Sequence, residues 1–160
     1  MLQSDKAISV GLIPSGLFIV AVYDPKTETS DGYLASWVQQ ISFSPLMLAL
    51  AIKPGRPAYD LIKAGNPFCV NVVGDHDKSF LKHFWKGYDP AQNPFKEISN
   101  HLGEVNGLII DQAKAAIECV MVSSSMPGDH EIIFAEVRAS HLMNAESRPM
   151  VHIRKSGADY

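Results

Sequence analysis

Apolar residues along this chain come in short runs cut by Pro, Gly and Asp. Residues 16–23 (GLFIVAVY) form one continuous apolar, β-branched run, and Asp24-Pro25 stops it, the pattern of a strand. Asp31-Gly32 turns the chain into residues 33–43. There Ala35, Trp37, Gln39, Ile41 and Phe43 alternate with Leu34, Ser36, Val38, Gln40 and Ser42, the period of a second strand. Ser44-Pro45 breaks it, and the apolar run 46–52 ends in Lys53-Pro54-Gly55.

Two helical patterns interrupt the strands. Pro57 suits a first helical position, Ala58, Leu61 and Ile62 share one face, and Gly65 closes the turn. After a strand at 68–73 (FCVNVV), Asp77 caps a second helix with a stripe of Phe80, Leu81, Phe84 and Trp85, closed by Gly87. Residues 87–107 carry two Pro and three Gly and read as a long loop. The last third is a hairpin, 116–123 and 131–140 about a turn at 126–129. Many strands with two inserted helices predict a closed or nearly closed antiparallel barrel in a single domain over 1–160.

Composition narrows the class. The chain has 160 residues, 46% hydrophobic and 19% charged, which excludes disorder. A mass of 17.5 kDa predicts burial of about 69% of the unfolded surface, enough for a core without disulfide or metal staples. The net charge of −3 comes with no Lys/Arg cluster, so no nucleic-acid partner is expected. Cys69 and Cys119 form no C-x-x-C and sit in apolar runs, as core thiols of a reducing compartment do. The uncharged stretch 32–52 is long enough to span a bilayer. It holds Ser36, Gln39, Gln40, Ser42, Ser44 and Pro45, so no membrane span is expected. No signal peptide reads cleanly, and the cytoplasm is the default.

Familiar chemistry is missing. G-x-G-x-x-G and G-x-S-x-G are absent, Leu17 stands where a P-loop needs Lys, and six scattered histidines suggest no metal site. Two places stand out. Ser36, Gln39 and Gln40 lie within an apolar region, so they face either solvent or a polar ligand. Lys53 and Arg56 flank a turn that opens a helix, either as a solvated turn or as a pair awaiting a phosphate.

These residues carry a resemblance. The segment 34–43 (LASWVQQISF), followed by Ser44-Pro45, an apolar strand and a Lys/Arg turn, resembles the flavin reductase-like, FMN-binding split-barrel family. The match continues through 68–73, Asn106-Gly107, 116–120 (AIECV), Gly128-Asp129-His130, and a closing H-x-RKSG-x-x-Y from His152 to Tyr160. The combination is most similar to the C-terminal flavin reductase module of cyanobacterial-type flavodiiron proteins. The diiron and flavodoxin-like domains of those proteins have no counterpart here, so oxygen reduction at iron is not implied. Residues 108–111 (LIID) lack the Pro that related modules tend to carry, which leaves that loop open.

The resemblance implies a mainly β, six-stranded antiparallel split barrel with short helices, forming a homodimer. It implies FMN as cofactor, with FAD as the other possible flavin, and NADH or NADPH as hydride donor to the flavin. Ala35, Ser36, Trp37 and Gln39 would line the isoalloxazine and ribityl chain, Trp37 either as ring contact or as core. Lys53 and Arg56 would take the phosphate, and Asn71 is either a weak site candidate or a strand-edge amide. His130 would approach the nicotinamide–flavin stack or stay a surface turn histidine. His152 and Tyr160 would close the pocket. The competing expectations are an FMN-binding electron-transfer protein serving a redox partner, and a barrel that binds no flavin.

Overall fold

The computed structural model describes residues 4–85 and 93–158. Helix α1 (Asp5–Gly11) leads into β1 (Ser15–Gly16), β2 (Phe18–Asp24), β3 (Thr29–Ala35), β4 (Val38–Phe43) and β5 (Leu46–Ile52). Helix α2 (Pro57–Lys63) precedes β6 (Phe68–Val72), and after the short strands β7 (Asn100–Leu102) and β8 (Leu108–Ile110) come β9 (Ala115–Ser125), β10 (Glu131–Leu142) and β11 (Val151–His152).

Seven strands make the main sheet, in the order β3-β2-β6-β9-β10-β5-β4, and every pairing is antiparallel. The mainly β, antiparallel class expected from the sequence holds, with one strand more than the six implied by resemblance. The two ends of this order, β3 and β4, are consecutive in the chain, separated only by Ser36 and Trp37. The sheet therefore curls until its edges almost meet, and the chain steps from one edge to the other at Ser36-Trp37. That step is the split in the barrel.

Alternation decides which side chains go inside. Val20, Val22, Tyr33, Ala35, Leu48, Leu50, Ile52, Phe68, Val70, Cys119, Ile133 and Ala135 fill the barrel, and α2 plugs it with Ala58 and Ile62. Strand β2 reads as a continuous apolar run because its other face is covered too. Leu17, Ile19 and Ala21 meet Phe80, Phe84, Phe95, Leu108 and Ile110 outside the barrel. Cys69 pairs in register with Glu118, and Phe68 with Cys119. The two thiols thus point to opposite faces of the sheet, and both are fully buried.

Four local expectations change. Asp31-Gly32 lies inside β3, and the turn is earlier, at Pro25–Glu28, where Glu28 takes a φ of 55° and Asp24 accepts from Lys26 N–H at 2.9 Å. The run 33–43 is two strands, because the seam interrupts it. The second helix shrinks to a 3₁₀ turn, Ser79–His83. Lys78 rather than Asp77 holds the cap position. Asp77, one residue ahead of it, accepts from Ser79 N–H at 2.9 Å, and Trp85 is exposed rather than part of the stripe. Gly87 lies outside the described residues. Strand β7 and a 3₁₀ turn, Pro94–Lys96, occupy part of the expected loop.

Candidate functional site

Strand β5 builds a floor. Its large residues Leu48, Leu50 and Ile52 turn into the barrel, leaving Ala49 and Ala51 on the outer face. Small side chains there leave a groove of about 550 Å³, within the roughly 300–1,000 Å³ of small-molecule sites. Ser36, Trp37, Val38 and Gln39 line one side of it. Residues 13–16 and 149–151 line the other. This second wall is a clasp of the two chain ends, in which Ser15 pairs with His152 and Gly16 with Val151.

A narrow recess adjoins the groove, sharing Ser36, Trp37 and Ala51, and adds Tyr33, Ala35, Lys53, Arg56 and His130. Arg56 holds its guanidinium carbon 5.4 Å from the Tyr33 ring centroid. His130 meets Trp37 edge-on, with ring centroids 5.0 Å apart. His130 Nδ1 lies 2.9 Å from Asp129 Oδ1. This hydrogen bond, helped by the charge of Lys53, holds the Asp129 carboxyl below the usual carboxylate range.

Seven of the residues read from the sequence thus converge: Ala35, Ser36, Trp37, Gln39, Lys53, Arg56 and His130. Ser36 is the most telling. Its Oγ is buried and has no hydrogen-bond partner, a cost native structures rarely bear without a ligand or water to offset it. An apolar floor, an unanswered hydroxyl and two cations suit a flat heteroaromatic ring carrying a polar chain and an anion.

Asn71 is different. Its amide donates to the Ile19 and Leu108 carbonyls at 3.2 and 3.1 Å and accepts from Ile110 N–H at 2.8 Å. It is fully buried, lines neither cavity, and ties β8 to the barrel. It is neither a strand-edge amide nor placed to meet a ligand of the groove. His152 contributes the backbone of the clasp, its carbonyl accepting from Ser15 Oγ at 3.5 Å. Tyr160 lies outside the described residues.

Two further quoted motifs prove to be one structural unit away from the groove. Glu118, fully buried, accepts from the backbone N–H of Glu104, Val105 and Gly107 at 2.8, 3.0 and 2.9 Å. His141 Nε2 lies 2.9 Å from the same carboxylate. Burial pushes this carboxyl up, but His141 and the three amides outweigh it and hold it below its ordinary range. Asn106 turns the loop with a φ of 66°. A β-carbon on Gly107 would stand 2.9 Å from Glu118 Cγ, so Asn106-Gly107 and Glu118 require one another.

Sequence reasoning missed Ala49, Ala51, the clasp and Arg154. The large–small alternation within LMLALAI was a usable signal for the floor. Arg154, whose guanidinium carbon stands 5.0 Å from the Trp37 ring centroid, was legible only as part of a motif.

This fold is shared with solved flavin reductases. The structure of the NADH:FAD oxidoreductase SgcE6 from Streptomyces globisporus C-1027, in complex with NAD and FAD fragments, superposes with a TM-score of 0.79. It is 22% identical, over 94% of this chain and 86% of that one. The styrene monooxygenase flavin reductase of Pseudomonas putida S12 gives 0.77 at 22% identity, over 90% and 89% of the two chains. The chain belongs to the flavin reductase like domain family, whose model matches residues 10–158. Diflavin flavoprotein A 1 of Synechocystis sp. (strain ATCC 27184 / PCC 6803 / Kazusa) is 31% identical over 160 residues, 99% of this chain and 28% of that protein. The chain thus spans about a quarter of the length of the curated relatives it matches. Family and fold together support a flavin-reducing oxidoreductase.

Proposed function

We propose that the groove binds FMN and that the protein transfers hydride to it from NADH or NADPH. The unpartnered, buried Oγ of Ser36 at the junction of groove and recess carries the reading. A bound isoalloxazine supplies the hydride-accepting chemistry. The chain supplies the rest. Ala49 and Ala51 leave room for the ring, and Ser36 and Gln39 offer hydrogen bonds to its polar edge or the ribityl chain.

Lys53 and Arg56 meet the phosphate. The recess, about 10 Å³, is too small to enclose a phosphate, so an anion meets these cations at its mouth. Arg56 is half-buried and Lys53 exposed, which makes Arg56 the stronger contact. Trp37 and His130 present a ring edge and face where a nicotinamide would approach. Asp129 steadies His130 at Nδ1.

Anaerobic mixing of FMN-loaded protein with NADH and with NADPH tests the proposal. Bleaching of the flavin bands in a stoichiometric, protein-dependent step supports it. A protein that binds FMN and keeps its colour with both donors is an electron carrier instead. A protein that remains colourless and is not stabilised by FMN overturns the flavin reading.

A further inference from the structure

Arg154 reaches the site from a braced segment. Its backbone N–H donates to the Gly11 carbonyl at 3.2 Å, and Gly157 N–H donates to the Ala7 carbonyl at 2.6 Å. Buried Ser156 packs so closely on α1 that a β-carbon on Gly11 would stand 2.8 Å from the Ser156 backbone. The C-terminal segment thereby sets the guanidinium over the face of Trp37, 5.0 Å from its centroid. Trp37 in turn lines both groove and recess.

Arg154 is half-buried. Among the described residues it forms no ion pair with a carboxylate. A guanidinium stays charged at any ordinary pH. Here its charge is answered by an indole face, which attracts cations but does not neutralise them. One indole lies between that charge and the groove, and a ring that fills the groove and displaces its water feels a fixed charge at that range. Lys53 and Arg56 suit a phosphate, whose charge does not change when a flavin is reduced. Arg154 lines neither the groove nor the recess and stands over Trp37, which lines both.

We infer that Arg154 is a specificity-determining residue that makes the groove hold the reduced, anionic flavin ring more tightly than the oxidised, neutral one. The inference rests on the flavin reading of the groove. A hydride brings the ring two electrons and one proton, leaving it one unit more negative. The dihydronicotinamide donor becomes a nicotinamidium cation, one unit more positive. A fixed cation beside the groove favours the negative product, so Arg154 raises the two-electron potential of the bound flavin.

The experiment compares dissociation constants for oxidised and dithionite-reduced riboflavin, which lacks the phosphate, in anaerobic titrations. Wild-type protein, Arg154→Gln and Arg154→Lys are measured at one pH and ionic strength. The expected result is a ratio of reduced to oxidised affinity that falls about tenfold in R154Q and is largely restored in R154K. A tenfold change corresponds to about 30 mV in the two-electron potential. A melting curve shows whether R154Q is folded. If it is not, R154K and the salt dependence of the wild-type ratio decide, since a charge effect shrinks in 1 M salt. Equal weakening of both forms in R154Q, or a wild-type ratio unmoved by salt, overturns the inference and leaves Arg154 as a prop for Trp37. Absence of flavin binding in either state by the wild type overturns the groove reading and this inference with it.

Discussion

Replacing Lys53 and Arg56 together with alanine removes the two cations that line the recess beside Ser36. Arg56 is half-buried, with its guanidinium carbon 5.4 Å from the Tyr33 centroid. A charge-assisted hydrogen bond from such a group contributes about 1.5–3 kcal/mol. Exposed Lys53 contributes less, about 0.2–1 kcal/mol. Together the loss is about 2–4 kcal/mol, which at 1.4 kcal/mol per tenfold weakens FMN binding roughly 30- to 700-fold. Riboflavin shares the ring and ribityl chain but lacks the phosphate, so its dissociation constant should move by less than about threefold. Titrations followed by quenching of flavin fluorescence measure both ligands under the same conditions. Salt should weaken FMN binding to the wild type and have little effect on the double variant. Equal losses for FMN and riboflavin would refute the phosphate assignment and make the two side chains structural.

Other outcomes follow from different parts of the structure. Ala51→Leu fills the groove floor from the outer face of β5. It should cost more than tenfold in flavin affinity with little change in melting temperature, and unchanged affinity would remove β5 from the site. Glu118→Ala strands three backbone N–H groups and His141 around a fully buried position. It should cost about 3–5 kcal/mol, a fall in Tm of roughly 6–20 °C, while flavin affinity of the folded fraction is kept; a fall below 2 °C contradicts this. The Glu131 carboxyl is held at about 2, below its ordinary 4.5, chiefly by the Lys63 ammonium with help from Ser124 and Tyr59. A lowered carboxyl pKa adds stability that is complete above about 4.5 and disappears as pH falls toward 2. Lys63→Met should therefore move the acid unfolding midpoint upward in circular dichroism, and an unmoved midpoint sinks the assignment. Burial pushes the Cys119 thiol up to about 12 and that of Cys69 higher. Both should resist thiol reagents until the protein unfolds, and rapid labelling of the native protein would contradict that.

Much of the barrel was readable because strands betray themselves by short-range patterns. Residues 16–23 showed an unbroken apolar run since β2 is covered on both faces. The alternation in 33–43 was real, but its break was not visible. Ser36 and Trp37 keep the period of a strand in sequence while the chain crosses from one sheet edge to the other. Ser36, with Gln39 and Gln40, also supplied a site signal, because a polar residue in an apolar stretch conflicts with burial unless something pairs with it.

Long-range pairings were hidden. Ser15 and His152 are 137 positions apart, and nothing local in either segment says that they form one wall of the groove. Asn71 misled for a related reason. An amide inside FCVNVV looks available to a ligand until the carbonyls of Ile19 and Leu108 and the amide of Ile110 are brought to it. Glu118 within AIECV entered only as part of a stretch that resembles the family. Its partners in 104–107 show that it organises a loop.

The central claim is that the groove over Ala49 and Ala51, between Trp37 and the clasp of the chain ends, is the flavin site. A crystal structure of the protein soaked with FMN tests it most directly. The account predicts a planar ring against Ala49 and Ala51, a new hydrogen bond to Ser36 Oγ, and the phosphate at Lys53 and Arg56. An empty groove with flavin bound elsewhere, or a ring in the groove with its phosphate turned away from both cations, would contradict it.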